Sequence, residues 1–131
     1  MMLTRMIDAK TEQITLVPEG RNRGSTAASL ELSHRILPTG EAVARIGGEL
    51  DVATADLASR YVTQVIDRHP GPVVVDLTAL RFCDARGLSA LLRMTRYAEQ
   101  AGQTFRITST SPTLLRLLRI IGLDRKLLPA N

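Results

Sequence analysis

The chain has 131 residues and a mass of 14.3 kDa, which suits one compact domain with a tail, since domains usually run to roughly 100–200 residues. Its 44% hydrophobic and 23% charged side chains are ordinary globular proportions, so wholesale disorder and fibrous classes are excluded. The formal charge of +4 is unevenly spread: residues 81–131 hold nine basic against three acidic side chains, whereas 31–80 hold four against seven.

Residues 1–29 show no sustained period. Ile14-Thr15-Leu16-Val17 reads as one short strand, and Pro18 to Thr26 is turn and linker chemistry. The segment 1–29 is therefore expected to be an N-terminal extension, flexible or with that one strand, ahead of a domain over 30–131. Leu30 to Leu37 and Ala42 to Ile46, separated by Pro38-Thr39-Gly40, predict a two-stranded hairpin that ends at Gly47-Gly48. Thr54 is placed to cap a helix whose Leu57, Tyr61, Val62, Val65 and Ile66 recur at helical spacing, with His69-Pro70-Gly71 as its stop. Val73-Val74-Val75-Asp76-Leu77 is a β-branched run of the kind buried on both faces of a sheet. Asp84 is placed to cap the next helix, which carries an apolar stripe through Leu88, Leu91, Thr95 and Ala98 and closes at Gly102. Phe105-Arg106-Ile107-Thr108 predicts a strand, and Ser111 with Pro112 opens a third helix that Gly122 stops. Leu127-Leu128 adds a final short strand or helix. Strands alternating with helices of three to four turns predict an α/β fold, a single domain with right-handed crossovers and a mixed, mainly parallel sheet of four to five strands under three to four helices. Sites in such sheets gather where strands end and helices begin, here around Thr78–Leu88.

Searches for chemistry return little. The lone cysteine, Cys83, excludes an internal disulfide, and with His34 and His69 as the only histidines a zinc cluster lacks ligands. No glycine run precedes Lys-Ser or Lys-Thr, which removes the P-loop. Gly87-Leu88-Ser89 lacks the second glycine of a nucleophile elbow, and His34 in an expected edge strand and His69 at a helix end make no triad with Ser89. Glu49, Asp51, Asp76 and Asp84 stand at strand ends, where helix capping by Asp51 and Asp84 outweighs metal binding. Cys83 reads as a small buried apolar residue. No enzyme, metal or cofactor is expected. No apolar run reaches the ~18 residues of a membrane span, and Met1–Glu19, with Arg5, Asp8, Lys10 and Glu12, is unlike a secretory signal. A cytoplasmic protein without membrane insertion is the expectation. Nucleic acid is disfavoured as a partner, because stacking on single strands needs aromatic platforms and the chain has only Tyr61, Tyr97, Phe82 and Phe105.

Four fragments, in order and in register over residues 43–128, resemble the STAS domain family, in particular the anti-sigma factor antagonists of bacteria. They are Gly48-Glu49-Leu50-Asp51 ahead of Thr54, Val73-Val74-Val75-Asp76-Leu77, Phe82-Cys83-Asp84 with Gly87-Leu88, and Ile121-Gly122-Leu123-Asp124. The resemblance implies a STAS-like fold and a non-catalytic regulatory domain that binds an anti-sigma factor of serine-kinase type and so frees a sigma factor for transcription. It also implies a switch, the phosphorylation of a Ser or Thr in an Asp-Ser-Ser/Thr-Gly motif, which would break docking by charge repulsion. Here that motif reads Asp84-Ala85-Arg86-Gly87, so both hydroxyls are gone and Arg86 occupies the acceptor position. Arg86 either points into solvent or grips an acidic partner. Gly87, costly in a first helical turn, suggests close approach of a partner or of neighbouring backbone. The implied partner surface is Asp84, Ala85, Arg86, Gly87 and Ser89 with Glu49, Asp51 and Thr54 beside it. A small-ligand module, binding a nucleotide or serving as a lipid-transport subunit, is the rival class, and a homodimer stays open.

Overall fold

The computed structural model describes residues 2–7, 11–17, 30–108 and 111–128, with side chains from residue 30 onward. Strand β3 (Leu30–Ile36) turns through Gly40 into β4 (Ala42–Leu50), the expected hairpin. β4 does not stop at the glycine pair. It runs on to Leu50, shifting register between Gly48 and Glu49 where Gly48 takes positive φ, a backbone conformation open to glycine at little cost. Helix α1 (Ala55–Arg68) follows, then β5 (Val73–Asp76), β6 (Leu80–Cys83), α2 (Ala85–Gln100), β7 (Phe105–Thr108) and α3 (Pro112–Ile120), closed by a 3₁₀ turn at Asp124–Lys126. All three α-helices lie within a residue or two of their sequence-predicted bounds.

The sheet of residues 30–108 has five strands, with β3 antiparallel to β4 and β5, β6 and β7 joined to it by parallel pairings. β5 lies between β4 and β7, and Val73, Val74 and Val75 are all buried, as a strand covered on both faces requires. Two more strands, β1 (Met2–Ile7) and β2 (Thr11–Val17), extend the sheet beyond β3. Sequence reading places only the second of them, because Met2–Ile7 carries Thr4 and Arg5 without a turn signature to mark its ends. Since β2 pairs with β3, His34 lies in an interior strand and not at the expected edge. Its Nδ1 is 2.7 Å from the Tyr61 hydroxyl.

β6 is absent from the sequence-predicted order. Its four residues, Leu-Arg-Phe-Cys, are too short and too mixed to show a period, and they pair along β4 at Gly48–Leu50 beyond the end of β5. Leu127 makes a single bridge to Ile107, with Leu128 donating its amide to the Ile107 carbonyl at 2.8 Å. The core joins Leu30, Leu32, Ala44 and Ile46 of the hairpin to Val62 and Ile66 of α1, Leu91 and Met94 of α2, Ile107 of β7 and Leu118 of α3. Ile46 is fully buried within that cluster. Ile46→Ala removes buried methyl groups and leaves a cavity, so the urea midpoint falls by the equivalent of about 2–5 kcal/mol with an unchanged slope. A loss below the cost of an exposed substitution would show that β4 does not organise the core.

Candidate functional site

The start of α2 and the loop into α1 meet at one main-chain group, the Leu50 carbonyl at the end of β4. The Asp84 amide donates to it at 3.2 Å. Gly87 is packed against the same oxygen: a Cβ on Gly87 would overlap the Leu50 carbonyl and come within 2.8 Å of Cys83 Sγ. Of the two readings of this glycine, the neighbouring backbone is the one observed. Asp84 caps α2, its Oδ1 accepting from the Gly87 amide at 3.0 Å, which satisfies one of the helix's free first-turn donors.

On the α1 side the turn is held differently from the expectation. Thr54 occupies the N-cap position, yet its side chain makes no cap hydrogen bond. Its hydroxyl instead donates to the Glu49 carbonyl at 2.8 Å and accepts from the Asp51 amide at 2.9 Å, tying the loop to itself. Asp51 closes the turn ahead of the helix: Oδ1 accepts from the Ala53 amide at 2.9 Å, and its carbonyl accepts from the amides of Thr54 and of Ala55, the first residue of α1. Thr54 is fully buried and Asp51 nearly so. With its hydroxyl engaged by the Glu49 carbonyl and the Asp51 amide, Thr54 has none left for a first-turn donor.

The structure therefore brings Glu49, Asp51, Thr54, Asp84 and Gly87 together around Leu50, with the carboxylates of Asp51 and Asp84 turned to backbone amides. Ala85, Arg86 and Ser89 face outward, and Arg86 makes no ion pair or hydrogen bond with a described residue. Two apolar side chains that sequence reading did not single out stand on the same rim: Val52 is 72% exposed and Phe82 is 51% exposed. Phe82 pairs in register with Glu49, and Val52 is two residues past Leu50. A valine in a loop and an aromatic before an acidic cap are the only sequence signs of this patch, and either would also suit a core. Arg93 of α2 is held by Asp56 of α1 at 3.1 Å, both side chains exposed.

Burial, then the nearby Asp84 carboxylate, push the Cys83 thiol up to about 12, so it stays protonated and unreactive as a nucleophile. Among the described residues no group of three His, Cys, Asp or Glu side chains could hold a metal ion, and no helix is long and apolar enough to cross a membrane. Asp76, at the end of β5, is raised by partial burial but lowered overall by the Thr78 hydroxyl and amide at 2.7 and 2.9 Å, the Thr108 hydroxyl at 3.2 Å and the Arg45 charge.

With this geometry in place, the chain is seen to belong to the STAS domain family: residues 37–129 match the family profile described as "Mlab, STAS domain". The relatives point to one branch of it. An anti-sigma-F factor antagonist of Mycobacterium tuberculosis, RsfB, is 32% identical over 88 residues, which are 66% of this chain and 70% of that protein. An anti-sigma F factor antagonist of Paenibacillus polymyxa is 30% identical over 95 residues, 72% and 79% of the two chains. The fold is that of the antagonist SpoIIAA in its unphosphorylated form, with a TM-score of 0.64 at 20% identity over 76% of this chain and 88% of that one.

Two outcomes follow from these contacts. Gly87→Ala gains about 1 kcal/mol of helix propensity but forces backbone apart at Leu50, so a net loss of about 1–3 kcal/mol is expected in urea unfolding; a stabilised variant would show that α2 can shift freely. The carboxylate of Asp76 has a folded pKa below its unfolded one, so its stabilisation is present above the ordinary carboxylate range and is lost as the pH falls through the folded value. Asp76→Asn should flatten the fall in stability below about pH 4, read as the difference between wild-type and variant midpoints across an acid series.

Proposed function

We propose that this chain is a regulatory protein-binding domain that acts as an anti-sigma factor antagonist: it binds an anti-sigma factor, of the serine-kinase type that the family resemblance implies, and so releases a sigma factor for transcription. The domain that does this is residues 30–131, and the docking surface is the start of α2 with the loop beside it. One observation carries the reading. The carboxylates of Asp51 and Asp84 are turned to backbone amides, while Val52, Phe82, Ala85, Arg86 and Ser89 are left facing out. Apolar anchors beside a guanidinium that no described residue pairs are the combination that dominates binding energy at protein interfaces. Asp84 and Gly87 position this surface without needing to touch the partner, and so do Glu49, Asp51 and Thr54.

Regulation by phosphate at the motif position is absent in this reading, since Ala85 and Arg86 offer no hydroxyl. Thr54 is no substitute, being fully buried with its hydroxyl engaged twice. Ser89 is the exposed hydroxyl on this face of α2. A domain that cannot be switched off at residues 84–87 would hold its partner until another input intervenes.

The test is binding to the anti-sigma factor recovered with this chain from its native cells, measured by calorimetry. Arg86→Glu should weaken binding by about 1–3 kcal/mol, since a like-charge clash replaces an attraction, and Val52→Asp should weaken it by placing a charge in the apolar rim. The wild-type protein should take no phosphate from the partner kinase at residues 84–87, whereas Arg86→Ser should accept it at the helix N-terminus, where the dipole favours an anion. Unchanged affinity in both charge variants would remove the start of α2 as the docking surface.

A further inference from the structure

β5 and β6 lie along the same edge of β4, the first against Ala42–Arg45 and the second against Gly48–Leu50. β7 pairs with β5 and ends at Thr108, so among the described residues no strand covers the outer edge of β6. The first two turns of α3 stand opposite that edge instead, and between them lies an open groove of about 400 Å³. That volume falls within the roughly 300–1,000 Å³ of small-molecule sites. Leu80 and Phe82 on one side and Leu114 and Leu117 on the other supply apolar walls. Arg81, Cys83, Ser111 and Thr113 complete the lining, and among the described residues no carboxylate belongs to it. Arg81 is exposed and makes no ion pair or hydrogen bond with a described residue. The Asp84 amide is directed at Leu50 of β4, so in this extended stretch the Cys83 amide before it is directed the other way, to the open edge.

We propose that this groove binds a small amphiphilic anion, an apolar chain or ring lying between Leu80, Phe82, Leu114 and Leu117 and ending in one carboxylate held by Arg81. The walls exclude a strongly hydrated ligand, because apolar surface is what burial there rewards. Among the described lining residues the single cation and the absence of carboxylates select a negative end, and a guanidinium fork matches a carboxylate in two parallel hydrogen bonds. A four-residue edge presents too few outward amides to hold an extended peptide without further strands, which favours a small molecule as the occupant. The inference goes beyond the docking reading and stands without it, because it concerns binding by the isolated chain.

The experiment is a titration of the ¹⁵N-labelled full chain with sodium decanoate, and with decan-1-ol as the neutral analogue, followed by amide chemical shifts. Decanoate should shift the amides of residues 80–83 and 111–117 saturably, with a Kd below about 1 mM, and decan-1-ol should bind at least tenfold more weakly. Arg81→Ala should weaken decanoate about tenfold, the size of loss expected for one charge-assisted pair, and leave decan-1-ol unchanged. Thr113→Trp, at an exposed position on the groove, should block both ligands while the far-ultraviolet circular dichroism stays that of the wild type. Shifts that do not saturate, shifts centred elsewhere, or equal decanoate affinity in Arg81→Ala would each overturn the proposal. If Thr113→Trp fails to fold, the Arg81→Ala comparison alone decides it.

Discussion

The Leu50 carbonyl is the group on which the arrangement of this domain turns. It ends β4, accepts the Asp84 amide and sits against the bare Cα of Gly87. A strand end, the turn into α1 and the first turn of α2 are thereby held within contact of one atom. Only a residue without a side chain permits that approach, because any Cβ at position 87 would have to displace main chain and not a flexible side-chain tip. The helix propensity lost at Gly87 is thus offset by close packing that no other residue allows.

That junction also decides how charge is displayed. Asp51 and Asp84 could have made the rim acidic, but Asp84 spends its carboxylate on a first-turn amide that the start of α2 leaves unpaired, and Asp51 spends its own on the Ala53 amide in the turn ahead of α1. Val52, Phe82 and Arg86 are left exposed beside them. The same division recurs along the C-terminal third, where nine basic residues meet three acidic ones: Arg93 is paired across helices with Asp56 and Lys126 with Glu99, while Arg81 and Arg86 stand free of described partners. Free arginines therefore flank the junction on both the β6 and the α2 side, next to the exposed Phe82.

β6 links these features. It is a four-residue strand laid in the lane that β5 vacates, and its outer edge has no strand beside it because β7 ends level with β5. The turn at Leu77–Leu80 that moves the chain forward in this lane is closed by the Leu80 amide on the Leu77 carbonyl at 3.0 Å. Asp76 and Thr78 brace the same turn. One face of the domain thus gains both an outward rim at α2 and a groove against α3 from a single short connection.

Much of this was legible in the residue order. The period of the apolar positions in α1, α2 and α3, the Ser111-Pro112 and Asp84 starts, and the three valines of β5 state local preferences that the fold obeys, since each can be satisfied by neighbours in sequence or by burial of any kind. The cluster of Glu49, Asp51, Thr54, Asp84 and Gly87 was legible as a set only through the family resemblance of its fragments. Other features were decided by the tertiary structure. A four-residue strand such as β6 has no period to read and exists because β4 offers it an edge. Thr54 makes no cap because the loop takes its hydroxyl. Val52 and Phe82 are exposed although their type suits a core, and Arg81 and Arg86 pair with no described residue because no described carboxylate is brought to them. Local propensity and capping depend on residues a few positions apart, which sequence alone contains. Exposure, pairing and close backbone approach depend on which distant segments are packed alongside.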